Sequence, residues 1–70
     1  MTTEEKIKLI EKTLREKDGS LTEDTNLSKL KSWDSLNILN LQIELSVFKP
    51  ELQFDDLYTC DTVGDICELI

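Results

Sequence analysis

The sequence predicts an all-α fold, a small four-helix bundle with a long loop between helices one and two and a short third helix. Apolar residues recur at the spacing of a helix face in the longer segments, and no segment shows the strict alternation of a β-strand. Capping residues, Gly19 and Pro50 divide the chain into four helical segments. Seventy residues suffice for one domain, residues 1–70. This length is near the lower limit for a hydrophobic core that folds without disulfides or a structural metal.

The first helix is predicted from about residue 3 to residue 17. Thr2 and Glu5 have the spacing of a capping box, in which each side chain accepts from the other residue's backbone N–H group. Gly19, after Asp18, stands where a glycine commonly ends a helix. The apolar face consists of Ile7, Ile10 and Leu14. We expect this amphipathic helix to contribute only to the core.

Residues 18–34 form a connection that is longer than most ordered loops. Three leucines, Leu21, Leu27 and Leu30, are expected to hold it against the core. The acidic residues of the loop lack the spacing D-x-[DN]-x-[DN]-G, so an EF-hand calcium site is excluded. The length of the connection therefore indicates a functional loop or a loop held by its own contacts.

The second helix, within residues 33–48, carries apolar residues on two opposite sides. One side, termed here the Leu36 stripe, consists of Leu36, Leu39, Ile43 and Val47. The other side, termed the Ile38 stripe, consists of Ile38, Leu41, Leu45 and Phe48. A helix of a small bundle needs only one apolar face for its own core, so the second stripe predicts a partner. Asp34-Ser35 suits the start of this helix, because either side-chain oxygen can accept from a free backbone N–H group.

The last third of the chain predicts two shorter helices. Pro50 ends the second helix, because the residue before a proline is disfavoured in the helical region. Phe54–Tyr58 is predicted as a single turn or a short helix. Thr62 and Asp65 form another capping box, which opens a last helix that runs to Ile70.

The charge and the cysteines exclude several functional classes. The net charge is −7, with eleven acids against three bases after residue 17, so a nucleic-acid partner is not expected. Cys60 and Cys67 lie seven residues apart, and the chain contains no histidine, so no redox pair or metal site is predicted. We expect both cysteines to be reduced, structural thiols on the last helix. The sequence contains no signal peptide and no run long enough to span a bilayer, which predicts a soluble, cytoplasmic protein without a membrane partner. We also expect a monomer.

Ser35 lacks the neighbours of a catalytic nucleophile. A nucleophilic serine needs a base within hydrogen-bond reach and a group that orients the base, and a chain without histidine offers only the weakly basic Asp34 carboxylate. The adjacent carboxylates of Asp55 and Asp56 lie on a short exposed segment, which does not favour acid–base catalysis. The chain is therefore not expected to be an enzyme. A serine without a local base has to be modified by another protein.

At Asp34-Ser35-Leu36 the chain resembles a freestanding acyl carrier protein. The motif stands at the head of an apolar helix, after a long loop and before a short acidic segment and a last helix. The resemblance implies an acyl-carrier-type bundle with Ser35 as the attachment site of a 4'-phosphopantetheine arm, whose thiol holds acyl cargo as a thioester. It also implies three kinds of partner: a phosphopantetheinyl transferase, acyl-loading enzymes and acyl-processing enzymes.

The family resemblance also assigns the two stripes. The Leu36 stripe is expected to face partner enzymes and the Ile38 stripe to face the bundle. The expected partner-binding residues are Trp33, Leu36, Leu39, Ile43, Glu44 and Val47. Trp33 and Leu36 resemble neither a peptidyl nor a D-alanyl carrier, so an acyl-type carrier is favoured.

Glu44 is the only acid between Ser35 and Phe48, whereas carriers of fatty acid synthesis commonly bear several acids on this helix. This departure argues against a housekeeping role in fatty acid synthesis and favours a specialised biosynthetic pathway. Polyketide synthesis and lipid synthesis both stay open as pathways. The alternative is a small helical interaction module that uses the Leu36 stripe and is never pantetheinylated.

Overall fold

The computed structural model of the protein describes residues 2–70 and contains four α-helices in that range. They are α1 (Thr3–Leu14), α2 (Ser35–Leu45), α3 (Phe54–Tyr58) and α4 (Val63–Leu69), with a 3-10 turn at Leu27–Lys29. Among these residues no strand is formed beyond one isolated bridge between Asn26 and Thr62. The predicted all-α bundle, with its long first connection and short third helix, is confirmed.

The helices enclose one apolar core to which every helix and the long loop contribute. α1 packs against α2 and α4, and α2 packs against α3. The buried apolar residues are Ile10, Leu14, Leu21, Leu27, Ile38, Leu41, Leu45, Leu52, Leu57, Val63, Ile66 and Cys67. Within residues 2–70, no helix combines the length and the apolar character that crossing a bilayer requires.

α1 ends at Leu14, so the predicted extension to residue 17 is wrong. Arg15 adopts the left-handed conformation, with φ of 60°, and the next N–H group, that of Glu16, donates to the Glu11 carbonyl at 2.8 Å. This return bond ends the helix as a Schellman motif does, although a non-glycine residue occupies the left-handed position. Gly19, with φ of 83°, instead serves a separate turn farther along the chain.

The long loop is ordered by buried side chains and by backbone bonds to the start of α4. Leu21 and Leu27 are buried and Leu30 packs against the core, as predicted. The Gly64 N–H group donates to the Glu23 carbonyl at 2.8 Å. A Cβ atom at Gly64 would lie 3.0 Å from that oxygen, so glycine permits the close approach of loop and helix.

One carboxylate inside the fold also holds the loop. Glu11 is 2% exposed, and its Oε2 atom accepts from the Leu21 backbone N–H group at 2.9 Å. Leu21 enters the core directly after the turn that contains Gly19, so its N–H group is removed from water and needs this acceptor. Glu11 therefore fixes the first part of the loop to α1.

α2 ends at Leu45, so the predicted extension of this helix to Phe48 is wrong. Residues 46–48 form a turn, in which the N–H groups of Phe48 and Lys49 both donate to the Leu45 carbonyl at 3.0 Å. Phe48 is consequently 57% exposed, and its predicted place in the buried Ile38 stripe is wrong. Helical projection gives the direction of a side chain only as far as the helix continues.

The last two helices follow the sequence signals closely. α3 has the predicted bounds, and α4 begins with the predicted capping box of Thr62 and Asp65. Both cysteines are free thiols, and Cys67 is buried on α4. Cys60 lies before α4 and is half-buried, so only one of the two belongs to the last helix.

Candidate functional site

The candidate site is the start of α2. Asp34 is the N-cap residue in extended backbone, and its Oδ1 atom accepts from the Asn37 N–H group at 2.9 Å. The structure thus assigns the capping role to Asp34, which the sequence left open between Asp34 and Ser35. Ser35 is the first helical residue and is exposed, and its hydroxyl has no hydrogen-bond partner among residues 2–70.

The segment before Ser35 is held by hydrogen bonds to Glu16, just after α1, and to Asn37 of α2. The Ser32 hydroxyl donates to Glu16 Oε2, just after α1, at 2.6 Å. The Ser32 carbonyl accepts from Asn37 Nδ2 of α2 at 2.8 Å and from the Asp34 N–H group at 3.0 Å. Sequence reasoning missed the roles of Glu16, Ser32 and Asn37, since no local pattern marks a contact across sixteen residues.

Trp33 is half-buried and packs against the core, next to the candidate site in sequence. Its backbone N–H group donates to the Leu30 carbonyl at 3.1 Å. The aromatic side chain therefore anchors the end of the loop to the core. A contact of Trp33 with a partner stays a prediction.

The two stripes of α2 differ sharply in exposure. Leu36, Leu39, Ile43 and Val47 are 69%, 44%, 58% and 77% exposed, respectively. Ile38, Leu41 and Leu45 are no more than 1% exposed. The Leu36 stripe therefore faces outward, and the Ile38 stripe, apart from Phe48, faces the core, as expected. That partners bind the Leu36 stripe is a separate statement and stays a prediction.

A groove runs between α1 and α2 beside the Leu36 stripe. Its volume is about 290 Å³, and Glu44 and Ile43 line it from the α2 side. The remaining lining residues are Leu9, Lys12, Thr13 and Asn40. The exposed carboxylate of Glu44 thus borders both the groove and the Leu36 stripe, and Lys12 adds a base from α1 that the sequence alone did not connect with this surface.

The start of α2 presents an exposed hydroxyl beside a carboxylate that is already engaged. The only carboxylate adjacent to Ser35 in sequence, that of Asp34, is already bound to the Asn37 N–H group. Within residues 2–70, no cluster of three or more histidine, cysteine, aspartate or glutamate side chains is placed to hold a metal ion. An anion attached to Ser35 would meet the free N–H groups of the first helical turn, where the backbone dipoles favour negative charge. The exposed hydroxyl therefore fits a phosphodiester.

A comparison with protein-family models matches residues 7–70 to the family described as phosphopantetheine attachment site. The match spans all four helices except the first residues of α1, and it includes the motif at Asp34 to Leu36. Searches of curated proteins and of solved structures each gave no significant match.

Proposed function

Because this chain belongs to the phosphopantetheine attachment site family of acyl and peptidyl carrier proteins, we propose that it carries acyl groups on an arm attached to Ser35. Domains of this family are the attachment site of covalent 4'-phosphopantetheine and are non-catalytic carriers. When bound, the arm supplies a terminal thiol that holds an acyl group as a thioester. In this proposal the protein presents that thioester to partner enzymes and catalyses no step itself.

The hydrogen bonding of the serine hydroxyls is the observation that supports Ser35 as the attachment site. The chain has five serines. Four of their hydroxyls, those of Ser20, Ser28, Ser32 and Ser46, are bound to acceptors of the protein. Ser35 is the exposed exception among the described residues, and it occupies the first position of α2. A transferase can engage this hydroxyl without breaking any bond of the fold.

The attachment step requires no catalytic group from this chain. Under the proposal a transferase joins the Ser35 oxygen to the phosphorus of coenzyme A that bears the pantetheine unit. The bond from that phosphorus to the oxygen of adenosine 3',5'-bisphosphate breaks, and the nucleotide leaves. The serine proton has to pass to a base of the transferase, because Asp34 is engaged as a cap and the chain has no histidine.

The exposed Leu36 stripe supports docking to the transferase and to the acyl-loading and acyl-processing enzymes. Exposed leucine, isoleucine and valine side chains in one row are what an apolar interface uses as anchors. Trp33 and Glu44 border this surface in our proposal. With Glu44 as its only carboxylate between Ser35 and Phe48, the surface favours apolar docking and a specialised pathway over housekeeping fatty acid synthesis.

We further infer a monomer in the cytoplasm, and the free thiols of Cys60 and Cys67 support a reducing compartment. The charge of −7 supports a protein whose copies repel each other. Size-exclusion chromatography with light scattering tests the monomer directly.

Intact-mass spectrometry tests the proposed attachment. A phosphopantetheinyl transferase of broad specificity, with coenzyme A and Mg²⁺, should add the mass of one phosphopantetheine to the wild type and to Ser46→Ala. Ser35→Ala should gain no mass. Its melting temperature should change little, because Asp34 supplies the cap and an exposed substitution usually changes stability by no more than about 0.5 kcal/mol.

Two results would overturn the proposal. A Ser35→Ala variant that still gains the mass would place the arm on another residue. A wild type that is never modified by any transferase would favour the other candidate, an interaction module that binds a helix on the Leu36 stripe.

A further inference from the structure

We propose that Glu16, Ser32 and Asn37 are positioning residues that hold Ser35 where the transferase can react with it. The inference rests on the proposed attachment at Ser35. None of the three side chains is expected to touch the reacting atoms. They act through the backbone of residues 32–34, which leads into α2.

The Ser32 carbonyl is the centre of this arrangement. It accepts from Asn37 Nδ2 at 2.8 Å and from the Asp34 N–H group at 3.0 Å. Asn37 also donates its backbone N–H group to Asp34 Oδ1 at 2.9 Å. One residue of the first helical turn therefore contacts the chain at two points on the N-terminal side of Ser35. The two bonds fix the direction in which the chain enters the helix.

The Ser32 hydroxyl connects the same segment to Glu16, which lies just after the C-terminal end of α1. Its bond to Glu16 Oε2 is 2.6 Å long, in the range of hydroxyl–carboxylate bonds that are stronger than neutral ones. Both residues are half-buried, so water competes less well for the bond than it does at the surface. Ser32 thus links α1 and α2, and Ser35 follows three positions later.

Ser35 itself contributes nothing to this order, because its hydroxyl is not bonded among the described residues. Its position is therefore inherited from its neighbours. A reacting oxygen that is displaced by about 1 Å can lower the rate of a group transfer by about a hundredfold. Loosening residues 32–34 should consequently slow the attachment step, while the exposed docking surface of α2 stays intact.

Asn37→Ala is the test variant, and Asn40→Ala is its matched control. Both remove an amide from α2, where alanine is the better helix former. The side chain of Asn40 is exposed and has no hydrogen-bond partner among residues 2–70. The backbone N–H group that binds Asp34 is retained in Asn37→Ala, so the helix cap survives.

Steady-state kinetics of the transferase on each apo-protein should separate positioning from binding. For Asn37→Ala we expect kcat to fall about tenfold with KM within about twofold of wild type, because transition-state geometry is lost and docking is not. Asn40→Ala should behave as wild type in kcat. Ser32→Ala should resemble Asn37→Ala, and Ser32→Thr, which keeps a hydroxyl for Glu16, should restore most of the rate.

Backbone ¹⁵N relaxation gives a second readout that does not depend on turnover. In Asn37→Ala the order parameters of residues 32–35 should fall, while those of the α2 core residues Ile38 and Leu41 stay unchanged. Unchanged kcat and unchanged order parameters in Asn37→Ala would overturn the inference. So would a change in melting temperature alone, which a purely structural role predicts. A wild type that no transferase modifies would instead overturn the proposed function, so the two failures are distinguishable.

Discussion

Leu45→Asp and Ile43→Asp place the same charge two positions apart on α2 but on opposite sides of the helix. Leu45 is fully buried, whereas Ile43 is 58% exposed. Truncating a buried leucine to alanine costs about 2–5 kcal/mol, and an unpaired buried carboxylate adds several kcal/mol more. At roughly 0.05–0.15 kcal/mol per residue, the 70-residue domain has only about 4–10 kcal/mol of stability in all. Leu45→Asp should therefore be unfolded at 25 °C.

The aspartate at position 43 should remain in water and cost little. Ile43 lies in the last turn of α2, where a negative charge is unfavourable by about 0.3–1 kcal/mol. For a domain of this size, 1 kcal/mol corresponds to a shift of about 4–8 °C in Tm, so the Tm of Ile43→Asp should fall by less than about 8 °C. Its far-ultraviolet circular dichroism at 25 °C should match that of the wild type. Phosphopantetheinyl transfer should lose affinity, with a raised KM and little change in kcat, because an apolar docking anchor is gone.

Thermal melts of the two variants, followed by circular dichroism, compare these expectations directly. Ile43→Ala and Leu45→Ala are the uncharged controls, and only the second should lower Tm strongly. An unfolded Ile43→Asp beside a folded Leu45→Asp would refute the assignment of faces. A folded Ile43→Asp with an unchanged KM for every partner would refute the docking role of the Leu36 stripe.

Two further measurements examine the loop and the thiols. Glu11→Ala should lower the free energy of unfolding by about 1–3 kcal/mol, because the buried Leu21 N–H group loses its acceptor. Glu11→Gln keeps an acceptor oxygen and should therefore destabilise the protein less. Equal midpoints of urea unfolding for the two variants would contradict this role of Glu11. Burial, together with the carboxylates of nearby aspartates, raises the pKa of the Cys60 thiol from 9.0 to about 11. Only the thiolate reacts with iodoacetamide, so in the Cys67→Ala variant at pH 8 the reagent should label Cys60 at least about tenfold more slowly in the folded protein than in urea. The labelling rate of the folded protein should rise with pH until about pH 11. Equal labelling rates at pH 8 would contradict the raised pKa of Cys60.

Local signals predicted those parts of the fold that depend on neighbours in sequence. The bounds of α3 and the capping box at Thr62 and Asp65 each rest on residues three or four positions apart. The two faces of α2 follow from helical periodicity, which holds up to Leu45. The motif at Ser35 likewise needs only its immediate neighbours. In each case the interacting residues are close in sequence, within a single helix or at its start.

The remaining features depend on partners that are far apart in sequence. Gly19 was the natural residue to end α1, but Arg15 takes the left-handed conformation instead. The side chains of Glu11 and Glu16 reach across to the loop, ten and sixteen positions away, and no periodicity predicts such contacts. Phe48 faces solvent because the chain turns at Leu45, before the projected stripe is complete. The network around Ser32 was missed for the same reason.

Under these two proposals, docking through the Leu36 stripe and attachment at the first residue of α2 are separable functions. The Leu36 stripe needs only exposure and apolar character, so it can be changed without altering the start of the helix. The start of the helix is held by the bond from Asn37 to Ser32, and Ser32 is in turn bonded to Glu16, so it depends on the long loop being in place. The loop is in turn held by Glu11 and by buried leucines. If this dependence holds, Glu11→Ala should slow attachment at Ser35 even at temperatures where the protein is fully folded, although Glu11 lies on a different helix from Ser35. Docking through Ile43 should be unaffected by the same substitution. If Glu11→Ala changed only the KM of the transferase and left kcat unchanged, this separation of binding from positioning would be contradicted.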